Sequence, residues 1–498
     1  MSRQRVARNA VFAVAQVILS AAALLLTYWL MMRSLTVEEI GLWSLVVGST
    51  LVARLSEMGL GAGVLRFVAG DMASGRPDRA AQTIGMAAVA VLILVSLLAV
   101  LVQPVLSNYL HRLTPARLHY AVDALLPAAL AGVALGAVGN VFMAAIDGAQ
   151  RMDVRAMIQV GGSLVQLAAT WFILPRFGVS GLGQVQVAQS ALLLVAGVVA
   201  TLRLLRQPLR AYAGFDRTRF RELAFYGGGL QISAIAQLLF DPLLKVLLTT
   251  FSGLTLTGYY DMANRIVIQA RSFIVAAYGA LVPHIAARTA DKAINPELVR
   301  GIYRESMTLL LFVLLPYFAV VGASLPLALV VWKGGYDPVF VQVALVQFVA
   351  WWLNLLSLPA YMLYVGMGKL RWTILSHAIT AAIMVIAGEA GGAWCGGVGV
   401  LLAGAMALVL GSIAVMIAFM KEFGLRIADI ATPAALRGFC LVLVAVAASA
   451  VVSRMPERSD WAVLLALPLG VGALALALIW KDPARILVRD QVRAIIRF

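Results

Sequence analysis

Runs of about twenty apolar residues recur along this chain of 498 residues, separated by short polar stretches. A helix rises 1.5 Å per residue, so about 20 residues cross a hydrocarbon core about 30 Å thick. Within that core every backbone N–H and C=O must find its partner inside the segment, and for runs of this length the helix provides that. The pattern therefore predicts an all-α polytopic membrane protein with about fourteen transmembrane helices. They fall near 10–32, 40–68, 81–107, 119–147, 156–175, 181–203, 222–250, 257–283, 301–323, 341–366, 372–388, 398–420, 435–453 and 461–480. Charged residues make up 12% of the chain, about half the share of a soluble protein, and no soluble domain is visible between the runs.

Basic loops are retained on the cytoplasmic side of a membrane. With the N-terminus inside, about 28 Lys and Arg fall on inside segments, about seven on outside loops and four within the spans. Both termini are then expected in the cytoplasm. The same asymmetry accounts for the net charge of +16, since basic loops beside a bilayer face anionic lipid headgroups. No zinc-finger spacing or aromatic-basic motif accompanies the charge, so nucleic acid is not an expected partner. Arg3, Arg5 and Arg8 before an apolar run imitate a secretion signal. That run is too long, and thirteen more follow, so it reads as an uncleaved first helix.

The two cysteines, Cys395 and Cys440, lie on different predicted helices and imply neither disulfide nor metal. His111, His119, His284 and His377 sit near span ends and read as headgroup-level residues. Gly59, Gly61 and Gly63 echo a nucleotide-binding pattern, but in an apolar helix with no strand before it close helix packing is the expected role. The chain carries no ATPase loop, and no cofactor or enzymatic activity is expected.

An internal repeat organises the chain. The turn Thr36–Trp43 can be laid over Gly253–Tyr260, each with a glycine followed two residues later by a large aromatic, Gly41 with Trp43 and Gly258 with Tyr260. About 20 residues on, each half reaches a second break, Gly59–Gly63 in one and Gly279 with Pro283 in the other. Six spans per half predict a parallel repeat about an axis along the membrane normal. The expected organisation is an N-terminal six-helix lobe over 1–203, a basic cytoplasmic linker over 204–221, a C-terminal six-helix lobe over 222–420, and two additional helices with a basic tail over 421–498. Two such bundles facing one another would suit alternating access.

Four cations sit inside the apolar runs: Arg54, Lys245, Arg265 and Arg271. Each costs about 2.5–3.5 kcal/mol at a membrane centre even on the lenient insertion scale, so such residues face a protein interior or a wet cavity. Glu57, Asp241 and Asp261 lie three or four residues from Arg54, Lys245 and Arg265. These carboxylates are candidates for charge pairing along one helix or for ion coupling. Arg271 has no such neighbour in sequence. Polar stripes at helical spacing extend the set: Gln237 with Asp241 and Lys245, Asp261 with Arg265, Gln269 and Ser272, and Gln159 with Ser163 and Gln166. Guanidinium groups match phosphate oxygens in bidentate fashion, so Arg54, Lys245, Arg265 and Arg271 form a candidate diphosphate site lined by Gln159, Gln166, Gln237 and Gln269. Trp351, Trp352, Asn354, Tyr361 and Tyr364 could offer sugar contacts, or could pack or sit at the interface.

With these features the chain resembles the oligosaccharide-repeat flippases, often called Wzx, of the multidrug/oligosaccharidyl-lipid/polysaccharide (MOP) exporter superfamily. The marks are Gly41-Leu42-Trp43, the glycine-rich end of the second span followed by Arg66, and Gly258-Tyr259-Tyr260-Asp261-Met262-Ala263 running to Pro283. The resemblance implies a MATE-like fold of two six-helix lobes in a V, here with two further helices. It implies translocation of an undecaprenyl-diphosphate-linked repeat unit from cytoplasm to periplasm across a bacterial inner membrane, driven by a proton or sodium gradient. Its implied partners are the lipid-linked oligosaccharide, membrane lipids and a periplasmic polysaccharide polymerase. A lipid II-type flippase and a cation-coupled multidrug exporter of the same superfamily are the alternatives.

Overall fold

The computed structural model describes residues 3–50, 57–224, 239–279, 296–333, 337–426, 433–452 and 461–481. Among them every regular element is helical. In chain order the longer ones are α1 (Arg3–Ser34), α2 (Val37–Ser49), α3 (Glu57–Ala73), α4 (Pro77–Leu113), α5 (His119–Gly148), α6 (Met152–Leu205), α7 (Phe240–Gly279), α8 (Pro296–Leu309), α9 (Leu315–Lys333), α10 (Pro338–Leu355), α11 (Leu358–Gly366), α12 (Arg371–Phe423), α13 (Pro433–Val452) and α14 (Trp461–Lys481). One π-helical turn, Leu310–Leu314, joins α8 to α9. Eight of the described helices are long and apolar enough to cross a membrane.

Two of those eight are too long for one crossing. α6 has 54 residues and α12 has 53, so each would stretch about 80 Å if straight. Each instead folds back on itself at one glycine, Gly178 in α6 (φ 56°, ψ −145°) and Gly396 in α12 (φ 60°, ψ −147°). α7 does the same at Gly253 (φ 76°, ψ −179°). This corner of backbone space is open essentially to glycine alone. The arms then pack antiparallel. A Cβ on Gly162 would lie 2.6 Å from Leu193 Cδ2, one on Gly391 would lie 2.8 Å from the Gly399 carbonyl oxygen, and the hydroxyls of Thr249 and Thr257 meet at 2.9 Å. All three glycines fall in gaps between the apolar runs, at 176–180, 251–256 and 389–397. Each of the fourteen expected spans thus corresponds, wholly or in part, to described helix.

The chain divides into two compact units, Met1–Gly258 and Tyr259–Phe498. In the first, α5 packs along α6, α1 lies against α6, and α3 and α4 pack on α5 and on each other. α2 starts with a capping box: Thr36 Oγ1 accepts from the Glu39 backbone N–H at 3.2 Å while the Glu39 carboxylate accepts from the Thr36 N–H at 2.8 Å. One turn later α2 crosses the second arm of α7 backbone to backbone. A Cβ on Gly41 would stand 1.9 Å from the Leu254 oxygen, and one on Gly258 would stand 2.2 Å from the Val37 oxygen. The contact is reciprocal, with Gly41 answering Gly258 and Val37 answering Leu254, in the register in which the two turns match in sequence.

The basic stretch at 204–221 is docked rather than free. Arg219 donates to Asp71 at 2.5 Å and stacks over Phe67, 4.3 Å from the ring centroid. Further along, the Asp216 N–H donates to the Met86 sulfur at 3.2 Å, and the Tyr212 carbonyl lies against Gly85, where a Cβ would come within 1.8 Å. The linker therefore rides on α3 and α4 as part of the first unit.

In the second unit α9 packs on α13 and α14, α10 and α11 pack on α12, and α13 packs on α14. Its core is aromatic: Phe318 stacks on Phe348 at 4.5 Å, Trp352 meets Phe439 at 4.7 Å, and Phe419 touches Tyr303, Tyr364 and Phe423. Exposed apolar side chains lie along helices of both units, Val100, Leu101 and Val105 in the first and Ile386, Val398, Leu469 and Leu476 in the second. Such surfaces belong in lipid, where small residues and close backbone contacts hold helices together.

Candidate functional site

The second arm of α7 carries the polar stripe seen in the sequence and runs beside α10 in the same direction. Three contacts join them in order. The Tyr259 hydroxyl donates to the Asp337 carboxylate, which also caps α10; Trp351 Nε1 donates to Asn264 Oδ1 at 3.0 Å; and Arg271 donates to Asn354 Oδ1 at 3.2 Å. Arg271 also lies over the Trp351 ring, 4.7 Å from its centroid. Asn354 passes the network on, donating to Ser412 Oγ on α12 at 2.7 Å.

The expected tenth span breaks at this level. α10 ends at Leu355 and α11 begins at Leu358, with Pro359 at its first turn. Proline has no N–H to serve the Leu355 carbonyl four residues back, and one residue earlier the Asn354 carbonyl is taken by the Ser357 hydroxyl at 2.8 Å and the Ser357 N–H at 3.1 Å. The interruption turns Tyr361 of α11 toward Arg271, its electrostatic neighbour. Arg271 thus sits among neutral groups, Asn354, Trp351 and Tyr361. Its Nε is buried with no hydrogen-bond partner.

Lys245 and Arg265 meet carboxylates on their own helices. Lys245, 3% exposed, is 2.8 Å from the Asp241 carboxylate, and Gly48 of α2 leaves room for its stem, 3.3 Å from the Cβ position. Arg265 Nη2 lies 3.6 Å from Asp261, which is 1% exposed. Both pairs have the four-residue spacing of helical ion pairs. Lys245 and Asp241 belong to the first unit, and Arg265, Asp261 and Arg271 to the second. Arg54 and Gln237 lie outside the described residues, and Glu57 does so in its side chain. Gln159, Gln166 and Gln269 are all half-buried. Their backbone carbonyls accept from Ser163, Thr170 and Ser272 at 3.0, 2.8 and 2.7 Å.

Of the aromatic set, Trp352 and Tyr364 are core residues. Trp352 packs on Phe439, and the Tyr364 hydroxyl donates to Glu422 at 3.0 Å, a carboxylate also held by Lys369 at 2.6 Å. Trp351, Asn354 and Tyr361 instead surround Arg271. Sequence reasoning missed two members of this cluster. Ser412 is one serine among many small residues. His377 reads as a headgroup-level residue but lies edge-on to Tyr361, with ring centroids 5.9 Å apart. The signal for it was a titratable residue six positions inside an apolar run.

A family described as polysaccharide biosynthesis protein matches residues 6–288. No curated protein matches the chain. Among solved structures, an inward-facing multidrug resistance MATE family transporter of the MOP superfamily superposes with a TM-score of 0.71 at 13% identity, over 83% of this chain and 96% of its own. The lipid II flippase MurJ in an inward closed conformation superposes with a TM-score of 0.67 at 10% identity, over 96% of this chain and 99% of its own. At these identities the likeness is one of fold alone, an all-α architecture.

Proposed function

The chain belongs to the polysaccharide biosynthesis protein family, and on that premise we propose that it flips undecaprenyl-diphosphate-linked oligosaccharide repeat units across a bacterial inner membrane, cytoplasm to periplasm, by alternating access. One observation carries the reading: Arg271, a permanent cation in a membrane helix, is held by neutral groups and has a buried Nε that bonds to nothing. An uncompensated buried charge costs several kcal/mol. A diphosphate supplies both the missing charge and the missing acceptor.

In this reading Arg271 and Arg265 of the second unit, with Lys245 and Arg54, hold the diphosphate. Trp351 and Tyr361 face the first sugars, while the glycan crosses through water and the polyprenyl tail stays in lipid. Gln159, Gln166, Gln237 and Gln269 line the polar route. Glu57, Asp241 and Asp261 keep the cations in place or take the coupling ion. The lobes are 1–203 and 222–420, joined by the linker at 204–221 and followed by the two helices and tail of 421–498. Both termini are cytoplasmic, and the product is delivered to a periplasmic polymerase.

The test is glycan export in cells that depend on this chain. Arg271→Ala removes charge-assisted hydrogen bonds worth about 1.5–3 kcal/mol each, or about ten- to hundredfold in affinity. Lipid-linked repeat units should then accumulate on the cytoplasmic face, with Arg271→Lys intermediate. Arg54→Ala should give a comparable defect. Full export by Arg271→Ala and Arg265→Ala proteins that insert normally would refute the proposal. A phenotype dominated by Asp241 and Asp261 would favour a cation-coupled drug exporter.

A further inference from the structure

Two buried nitrogens in the second unit have no hydrogen-bond partner and belong to one ring of side chains: Arg271 Nε and His377 Nε2. The ring closes through contacts already described and one more. Arg271 donates to Asn354, and Asn354 donates to Ser412. Next to Ser412, the Gly411 carbonyl accepts from the Ser376 hydroxyl at 2.7 Å across the α12 hairpin. His377 follows Ser376 and lies edge-on to Tyr361, which neighbours Arg271. Both nitrogens can donate to an anion, Arg271 Nε always and His377 Nε2 in the protonated ring.

The surroundings leave His377 as the group there that changes charge near neutral pH. α10 and α11 contain no Asp, Glu, Lys or Arg; their polar groups facing the ring are Trp351, Asn354 and Tyr361. On α12 the charged residues nearest along its first arm are Arg371, stacked over Trp372, and Glu389, about 18 Å further along the helix; on its second arm Glu422 is taken by Lys369 at 2.6 Å and by the Tyr364 hydroxyl at 3.0 Å. From α8, Arg300 is taken by Glu297 at 2.7 Å and by the Phe423 carbonyl at 2.6 Å, while Arg304 and Glu305 are exposed. From α7 the charge facing the ring is Arg271 itself. An anion held by Arg271 would stabilise a proton on a histidine ring beside it.

We propose that His377 is a second ligand-binding group of the Arg271 site, donating from its protonated ring to a phosphate oxygen, so that each substrate anion bound there takes up one proton. The inference rests on the diphosphate reading above and assigns the coupling proton to a residue outside the carboxylates considered so far. Linkage makes it quantitative. If the protonated ring binds the anion and the neutral ring does not, affinity rises by up to tenfold per pH unit as pH falls through the histidine range.

The experiment uses the full chain in bilayer discs of zwitterionic phospholipid and a short-chain prenyl diphosphoryl glucose. This diphosphate diester keeps one charge state throughout, so its own titration does not intrude. Calorimetry from about pH 8 to about pH 5.5 spans the ordinary histidine value. Wild-type affinity should rise about tenfold across that range, and His377→Gln should bind like the wild type at the alkaline end with no rise. A slope in His377→Gln equal to that of the wild type overturns the coupling and leaves the diphosphate reading intact. Loss of binding by His377→Gln at both ends, with an unchanged unfolding temperature, also overturns it. Arg271→Ala binding as tightly as the wild type at both ends removes the diphosphate reading, and the inference with it. The wild type supplies a check that needs no variant: in weak buffer near pH 6.5, adding the probe should draw up to one proton per bound ligand from solution, and no uptake refutes the proposal.

Discussion

The crossing of α2 and α7 makes a sharp test because the structure fixes how much room it has. A Cβ on Gly41 would sit 1.9 Å from the Leu254 carbonyl oxygen, 2.8 Å from its carbon and 3.0 Å from Gly258 N. Ordinary contact between such atoms is about 3.4 Å or more, so Gly41→Ala forces the two backbones apart by more than about 1 Å. No flexible side chain is present to yield. Overpacking of a tight interior costs about 1–3 kcal/mol, and a clash against backbone belongs at or beyond the upper end. Gly61 on α3 is the control, since a Cβ there meets nothing within 4 Å. Alanine at that helical position should be stabilising by about 0.5–1 kcal/mol. Gly41 and Gly258 share one crossing, so Gly41→Ala with Gly258→Ala should cost less than the sum of the two single changes; once the helices have separated, the second methyl finds space. Unfolding titrations of purified protein in mixed micelles would measure all four variants. A Gly41→Ala protein as stable as the wild type, or strict additivity of the pair, would refute the backbone crossing.

Gly396→Ala should destabilise by about 1–3 kcal/mol, because φ 60° with ψ −147° excludes a side chain. Gly470→Ala on α14, where a Cβ meets nothing within 4 Å, should be neutral or stabilising in the same titration. Arg219→Ala removes the ion pair to Asp71 and the stack on Phe67, a loss of about 1.5–3 kcal/mol. Limited proteolysis of membranes should then cut faster within 204–221, and an unchanged rate would mean that this contact does not hold the linker.

The spans were legible because hydropathy is local: a run of twenty apolar residues announces a helix whatever it packs against. The three hairpin turns were half legible. Each fell in a gap only a few residues wide, but the gap does not reveal that one glycine makes the whole turn, in a chain with 43 of them. The docked linker was hidden by its charge, since Arg219 reads as solvated until Asp71 and Phe67 are placed beside it by the fold. His377 was hidden for the same reason in reverse, because it reads as interfacial until the fold sets it edge-on to Tyr361, itself a neighbour of Arg271 on α7.

The repeat is the feature on which sequence and structure inform one another most. As a match of residues it was weak, resting on a glycine and an aromatic. The reciprocal backbone crossing has the same register as that sequence match, with Val37 facing Gly258 and Gly41 facing Leu254. In that register Arg54 and Arg271 are counterparts, each thirteen residues beyond its glycine. The Asp261–Arg265 pair falls opposite Ser44 and Gly48, which carry no charge. The repeat thus separates the intramembrane cations into two kinds. Arg265 and Lys245 each have a carboxylate one helical turn away that offsets their charge where they stand, and neither has a charged counterpart in the other half. Arg271 is held by neutral groups and has a counterpart arginine. A charge that served packing alone would not need to recur at the same sequence position of both halves without a compensating neighbour in the described one. A ligand bearing two linked phosphates gives that recurrence a physical reason.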